Sequence, residues 1–388
     1  MTDAQVELTA IEKAERRVIA RSGLFLTGGP KDERPGAILT AFAATLRDDP
    51  RVRAVKSPTI DDQWSDRPVF WPTSTDVHDQ RVLDGSDRFY GVQWSQPIEF
   101  TVYVPAKNQP LYGLEEAAPT ETYEVSWDGV TAIVAWEQNT DPTALTGGQV
   151  VEQILRDGAR EMGRPLYVQA CNPGCTFLFV HTDFVGREKE GVDVLRAGSR
   201  SMPADYVAFE FEPSTSVREV ATILYWHLRS EMFDFAEVKN VGQRIFEVET
   251  FARHRLDILF GYYQAAAEVA VLPWRERFRA RYQMKGWRKR ARYEVALLWR
   301  SISTLERLLR MFGQRLTDQR DWRSVFALED VFKHDLAELG AIESLNLSIL
   351  QQGTQHASDR LDNRSVAGAT VWGAMAGGVV GAGLGGLF

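Results

Sequence analysis

Cysteine is scarce, with Cys171 and Cys175 the only two in 388 residues. Two thiols cannot build a disulfide framework, and such sparing use fits a reducing compartment. No secretory leader is expected. Met1–Ala20 carries Glu7, Glu12, Lys13, Glu15, Arg16 and Arg17, a solvated helix face that keeps the bulk of the chain in the cytosol. No Gly-x-x-x-x-Gly-Lys phosphate loop, no dinucleotide fingerprint after a strand and no Gly-x-Ser-x-Gly elbow occurs. The chain is therefore expected not to be an enzyme. The last absence is of charge: Val366–Phe388 holds no Asp, Glu, Lys or Arg over 23 positions.

What remains is ordinary in bulk. Hydrophobic residues make up 44% and charged residues 25%, which excludes wholesale disorder and leaves room for two domains. The net charge of −8 hides an asymmetry. Between Pro273 and Arg323 stand fifteen Lys or Arg against five Asp or Glu. A basic segment inside an acidic protein implies a surface or partner for that segment.

The first 240 residues read as α/β. A helix is expected over Thr2–Arg21, ending at the Gly28-Gly29-Pro30 breaker, and another over Pro35–Arg47. Strands are expected at Ile98–Val104, Thr122–Trp127, Val130–Trp136, Leu166–Ala170, Thr176–His181 and Tyr206–Phe211. Asp128-Gly129 is read as a two-residue hairpin turn with positive φ at both positions. After Gly147-Gly148 a helix runs to about Met162. From Val217 on, helical spacing takes over, in Val217–Phe235, Gln243–Val271, Glu276–Leu316 and Ser324–Leu361. The last of these, about 55 Å long as a continuous helix, reads as a stalk. The fold class is thus an α/β N-terminal domain with a mixed sheet and helices, an all-α helical stalk, and one C-terminal transmembrane helix. Their bounds are 1–240, 241–364 with the basic segment 273–323, and 365–388.

As a helix Val366–Phe388 is about 34 Å long, enough for a hydrocarbon core of roughly 30 Å. Gly373, Gly377, Gly381 and Gly385 repeat every four residues and would line a groove where another helix backbone approaches closely, a main attraction between helices in lipid. Eight glycines and five alanines also suit a flexible tail or a small-residue helix packed inside a soluble oligomer. Arg360 and Arg364 precede the segment and no cation follows it, so the N-terminal domain is expected on the cytoplasmic side of a cell membrane. The partners implied are a lipid membrane and further copies of the chain.

The basic block interleaves cations and aromatics: Arg275, Arg279, Arg281, Lys285, Arg288, Lys289, Arg290 and Arg292 run among Trp274, Phe278, Tyr282 and Trp287. Anionic headgroups attract such cations and Trp and Tyr favour the interfacial zone. The same composition suits nucleic acid, whose phosphates and bases take cations and aromatics. Pairing with acidic surface of the same or a neighbouring chain is the third reading.

The stretch Leu328-Glu329-Asp330-Val331-Phe332-Lys333-His334-Asp335, followed by Ser358-Asp359-Arg360-Leu361-Asp362-Asn363 before the apolar segment, resembles the CorA-like divalent-cation transporter family. The resemblance covers about the last 170 residues and, loosely, the whole chain. It implies a ring-shaped oligomer whose soluble domains control a bundle of membrane helices, with Asp330, His334, Asp335 and Asn363 in stalk positions. The family's Gly-Met-Asn loop and second membrane helix have no counterpart here, which puts magnesium transport in doubt.

Metal chemistry has one compact candidate. Cys171, Cys175, His181 and Asp183 lie within thirteen residues and are of zinc-ligating type, although two free thiols on adjacent strands fit as well. Asp61, Asp62, Asp66, Asp76, Asp79, Asp84 and Asp87, with His78, offer hard oxygens to a divalent cation or form a solvated acidic loop. No cofactor is identified. The expected function is a membrane-anchored oligomer whose α/β domain senses a signal, a small molecule or nucleotide, and controls a pore. That layout is shared by defence effectors that depolarise an infected cell. A CorA-like transporter derivative and a nucleic-acid-binding protein are the alternatives.

Overall fold

The computed structural model describes residues 17–27, 35–58, 67–72, 88–109, 120–138, 148–164, 166–168, 179–180, 182–191, 196–197, 206–283, 286–320, 331–332, 335, 342 and 345–361. They fall into two compact units. One comprises the described residues up to Thr73, Arg88–Asn240 and Gly313–Ala341; the other comprises Val241–Phe312 and those from Ile342 on.

The first unit is a mixed α/β sheet domain. Its strands are β1 (Arg17–Thr27), β2 (Val52–Lys56), β5 (Ile98–Tyr103), β6 (Thr122–Trp127), β7 (Thr131–Gln138), β8 (Leu166–Val168), β9 (Asp183–Glu188), β10 (Arg196–Ala197) and β11 (Tyr206–Phe211). The order across the sheet is β10-β11-β9-β1-β7-β6-β5-β2, with β8 also on β1. Among the described residues only β9 and β11 pair in parallel. A separate antiparallel pair joins β3 (Arg67–Pro72) to β4 (Arg88–Gln93).

Alternation assigns the two faces of the sheet. Ile98, Phe100 and Val102 of β5 and Tyr123, Val125 and Trp127 of β6 share one core with helices α1 (Pro35–Asp48) and α2 (Gln149–Glu161). Within it Phe42 meets Trp127 edge-on at 4.6 Å. Helix α3 (Val217–Val271) reaches the residues in between. Arg218 Nε donates to Glu124 Oε2 at 2.9 Å and Thr222 Oγ1 to Glu99 Oε1 at 3.2 Å. Helices therefore cover both faces.

The sequence expectation holds at β5, β6, β7, β11, α1 and α2 and over the described part of the strand expected at Leu166–Ala170, and is corrected at β1 and at the hairpin turn. Arg17–Arg21 is not the end of a helix but the start of β1, whose residues from Val18 on are all buried and which pairs with β7, β9 and β8. A mixed charged and apolar segment was read by its charges, and burial decided otherwise. The hairpin turn also sits one residue further on. Its central residues are Gly129 and Val130, and of these Gly129 alone has positive φ, 86°. Asp128 precedes them and its Oδ1 accepts the N–H of Val130 (3.0 Å) and of Thr131 (2.6 Å). The side chain thus takes the place of the carbonyl in the turn.

The second unit is helical, built from the later part of α3, α4 (Trp274–Gln283), α5 (Trp287–Arg320) as far as Phe312, and α6 (residues 348–361). Buried residues recur at three- and four-residue steps along Ile245, Val248, Ala252, Leu256, Leu259 and Tyr263. The same steps relate Ala291, Val295, Leu298, Ile302 and Leu305 on α5, and Leu350, Thr354, Ala357 and Leu361 on α6. Three such stripes turned inward make a bundle.

Helix boundaries here differ from expectation in three places. Val217–Val271 is one helix, with buried Phe235, Val238 and Ile245 carrying it through Asn240 and Gly242. The expected Glu276–Leu316 helix is interrupted at Gly286, whose φ is +86°. The expected Ser324–Leu361 stalk is not continuous, because Leu345 and Asn346 are non-helical and Asn346 Oδ1 accepts the Ser348 N–H at 2.8 Å, capping a new helix. Among the described residues no helix is long and apolar enough to cross a membrane. Val366–Phe388, with Gly373, Gly377, Gly381 and Gly385, lies outside them.

Candidate membrane-surface site

Tyr263, near the end of α3, fixes how the three helices of the second unit meet. Its hydroxyl donates to the Ala357 carbonyl at 2.6 Å. Its ring lies 6.1 Å from Trp287, the first residue of α5, and the Arg360 guanidinium sits 5.9 Å above it. Further from this end, Arg255 pairs with Glu294 at 3.5 Å and Gly353 lies against Leu256. Helices α3 and α5 are thus antiparallel, and α6 runs parallel to α3. The end of α3, the start of α5 and the end of α6 converge on one pole.

Helix α4 spans the connection at that pole. Pro273 opens it, its carbonyl accepting the Arg277 N–H at 2.8 Å. The Arg277 guanidinium donates from Nε (3.0 Å) and Nη2 (2.8 Å) to the Leu272 carbonyl, occupying a free acceptor at the end of α3. Trp274, Phe278 and Tyr282 follow at four-residue steps and are 74%, 78% and 76% exposed. Each such step turns a helix by about 40°, so the three rings form one narrow ridge. Arg275 and Arg279 flank it, and the Arg275 guanidinium lies 5.2 Å over the Trp274 ring.

The cations that follow are placed against local electrostatics. Arg288, Lys289 and Arg290 stand in the first turn of α5, where the helix dipole is positive. Arg288 and Arg292, like Arg275 and Arg279, are like-charged neighbours at four-residue spacing. All six are exposed, and none pairs with a carboxylate among the described residues. Like charges so placed cost stability in the free chain. Deeper in the bundle, burial pushes the Glu294 carboxyl up, against the pull of Arg255 and His254.

The other anticipated residues fall elsewhere. Arg281 lies in α4 as a backbone position, whereas Lys285, Arg364, Asp330, His334 and Asn363 lie outside the described residues. Asp335 is buried. Of the candidate metal set, Cys171, Cys175 and His181 lie outside, as do the carboxylates from Asp61 to Asp66 and from Asp76 to Asp87. Asp183 takes a forked ion pair from Arg21, with Nε to Oδ1 at 2.8 Å and Nη2 to Oδ2 at 2.9 Å. Among the described residues no cluster of three His, Cys, Asp or Glu could hold a metal.

Sequence reasoning missed a buried polar hub in the first unit. Asp128, read as a turn residue, is wholly buried. Its Oδ2 accepts from Gln93 Nε2 at 2.7 Å and Tyr225 Oη at 3.0 Å, with Arg229 Nε at 3.7 Å. Arg229 also donates to the Trp94 and Ser95 carbonyls at 2.7 and 2.8 Å. Burial raises the Asp128 carboxyl, while the Thr131 N–H, Arg229, the Val130 N–H and Gln93 pull it down. These partners lie up to 135 residues apart in hydrogen-bonded pairs, and no local pattern announces them.

No protein-family model matches the chain, and no curated protein or solved structure matches it either.

Proposed function

We propose that the protein is a membrane-anchored homo-oligomer whose α/β unit senses a small-molecule or nucleotide signal and controls a pore formed by the terminal segments. The observation that carries this reading is the convergence of α6, which leads toward Val366–Phe388, with the exposed aromatic and cationic α4 at one pole of the helical unit. An uncharged segment leaving that pole enters the bilayer that α4 touches, and the four-residue glycine repeat joins copies within it. Arg360 and Arg364 hold the α/β unit on the cytoplasmic side of the cell membrane.

Flotation of the full-length protein with vesicles, its assembly size in detergent and release of an entrapped dye test the proposal together. The expected result is vesicle-bound oligomer and dye release. Protein that stays monomeric and leaves vesicles intact sinks it. A CorA-like transporter derivative is the second reading, favoured by a mixed α/β unit followed by a helix of 55 residues. Selective magnesium uptake by proteoliposomes supports it over the pore; non-selective leakage removes it.

A further inference from the structure

The geometry points to α4 as an interface-lying helix that binds anionic phospholipid by itself, making the first and reversible contact before the terminal segment inserts. The inference rests on the membrane reading above and names the lipid and the order of events.

Three features select a membrane surface. The ridge of Trp274, Phe278 and Tyr282 has the apolar Phe at its centre and an aromatic with a polar handle at each end. That is the composition of a face that sinks to headgroup depth while its indole N–H and phenol O–H stay wet. Arg275 and Arg279 run beside the ridge, and Glu276 stands off it by more than a quarter turn. A helix laid along its ridge therefore sets two guanidinium groups level with the phosphates. Lastly, α4 is set apart from its neighbours by Pro273 and by Gly286, so it can lie in the plane of a membrane while α3 and α5 stand away from it.

The charge of the surface matters because one weak anchor is marginal and stable attachment takes two signals. Helix α4 and its neighbouring cations supply the electrostatic signal, and Val366–Phe388 the apolar one. Nucleic acid would also meet the cations. A ridge centred on Phe fits acyl chains better than stacked bases.

The test uses full-length protein and flotation with phosphatidylcholine vesicles, alone or mixed with phosphatidylglycerol. Four proteins are compared: wild type, Trp274→Ala/Phe278→Ala/Tyr282→Ala, Arg275→Gln/Arg279→Gln, and Gly377→Arg, which places a charge inside the terminal segment. The α4 side chains exchanged are exposed, so near-ultraviolet circular dichroism should confirm an unchanged fold. Gly377→Arg is expected to bind mixed vesicles, to release them in high salt and to ignore neutral ones. Each arginine lost should weaken capture about five-fold, and the aromatic variant should bind more weakly still. If the α4 variants bind mixed vesicles as tightly as wild type, α4 is not the contact, while the anchored-oligomer reading survives. Should wild type itself fail to float, that reading falls with it. Salt-sensitive capture of RNA without capture of vesicles overturns the inference as well.

Discussion

The Tyr225 hydroxyl donates to Asp128 Oδ2 across 3.0 Å, and neither residue is exposed to solvent. It is one rung of a polar ladder. Arg218, Thr222, Tyr225 and Arg229, at steps of four, three and four residues, turn one face of α3 to the sheet. Each bonds there to a carboxylate or a carbonyl: Glu124, Glu99, Asp128, and the carbonyls of Trp94 and Ser95. The apolar neighbours Val220, Ala221, Leu224 and Leu228 are buried alongside. Apolar burial supplies most of the adhesion, and the ladder fixes the register, since a shift of one residue would strand buried charge.

Removing the rung tests this directly. Tyr225→Phe keeps the ring and deletes a hydrogen bond to a carboxylate. It is expected to cost about 1.5–3 kcal/mol in urea-induced unfolding. A loss near zero would show that the bond is not part of what holds α3 to the sheet.

The pH dependence has a defined sign. Burial raises the Asp128 carboxyl above its ordinary value, so the folded chain binds that proton more tightly than the unfolded chain. Stability from this group is present below the unfolded carboxylate range and is lost as pH rises toward the folded value. Urea midpoints across that window should fall with rising pH in wild type relative to Asp128→Asn. A wild-type midpoint that rises against the variant contradicts the assignment.

A second ion pair, half-buried, ties β1 to β9. Arg21 is 1% exposed and grips Asp183 with two nitrogens. Its guanidinium also lies 5.6 Å over Trp136. Arg21→Leu should destabilise by about 1–3 kcal/mol, because the half-buried carboxylate is left without its counter-ion. Adding Asp183→Asn should recover part of that loss, and additive losses in the double variant would show no coupling.

Legibility in the sequence followed the range of the interactions. The β6–β7 hairpin was visible because alternation and an Asp-Gly pair lie within fifteen residues. Strand β1 was not, because Arg17 and Arg21 mark a solvated face unless Asp183, far along the chain, is known to cover Arg21. The hinge of the basic block at Gly286 was hidden for the opposite reason: apolar spacing continues through it, and only the backbone shows the break. The α4 cations and aromatics were legible as a composition. Their alignment into one exposed ridge at the pole where α6 ends needed the fold.

Strand β9 has a tight spot that tests its pairing with β11. A Cβ on Gly186 would fall 2.4 Å from Cε2 and Cζ of Phe209 and 2.9 Å from Phe211. Gly186→Ala is therefore expected to cost about 1–3 kcal/mol through overpacking. The double variant Gly186→Ala/Phe209→Leu should regain stability relative to Gly186→Ala, and thermal melting of the three proteins decides it.

Gly286 poses a different case, since nothing lies within 4 Å of a Cβ built there and its φ is +86°. Space is free and only the backbone objects. Ala at this φ costs about 1–2 kcal/mol, whereas Asn tolerates left-handed backbone better. The strain falls where α5 begins, at the Arg290 N–H that donates to the Gly286 carbonyl over 3.2 Å. Gly286→Ala should thus speed hydrogen exchange at Arg290 while amides in β6 and β7 exchange as before, and Gly286→Asn should stay near wild type. Because α4 must leave the line of α5 to lay its ridge on a surface, Gly286→Ala should also weaken capture by phosphatidylglycerol-containing vesicles. Faster exchange with unchanged capture would mean that the turn at Gly286 shapes the bundle without orienting α4.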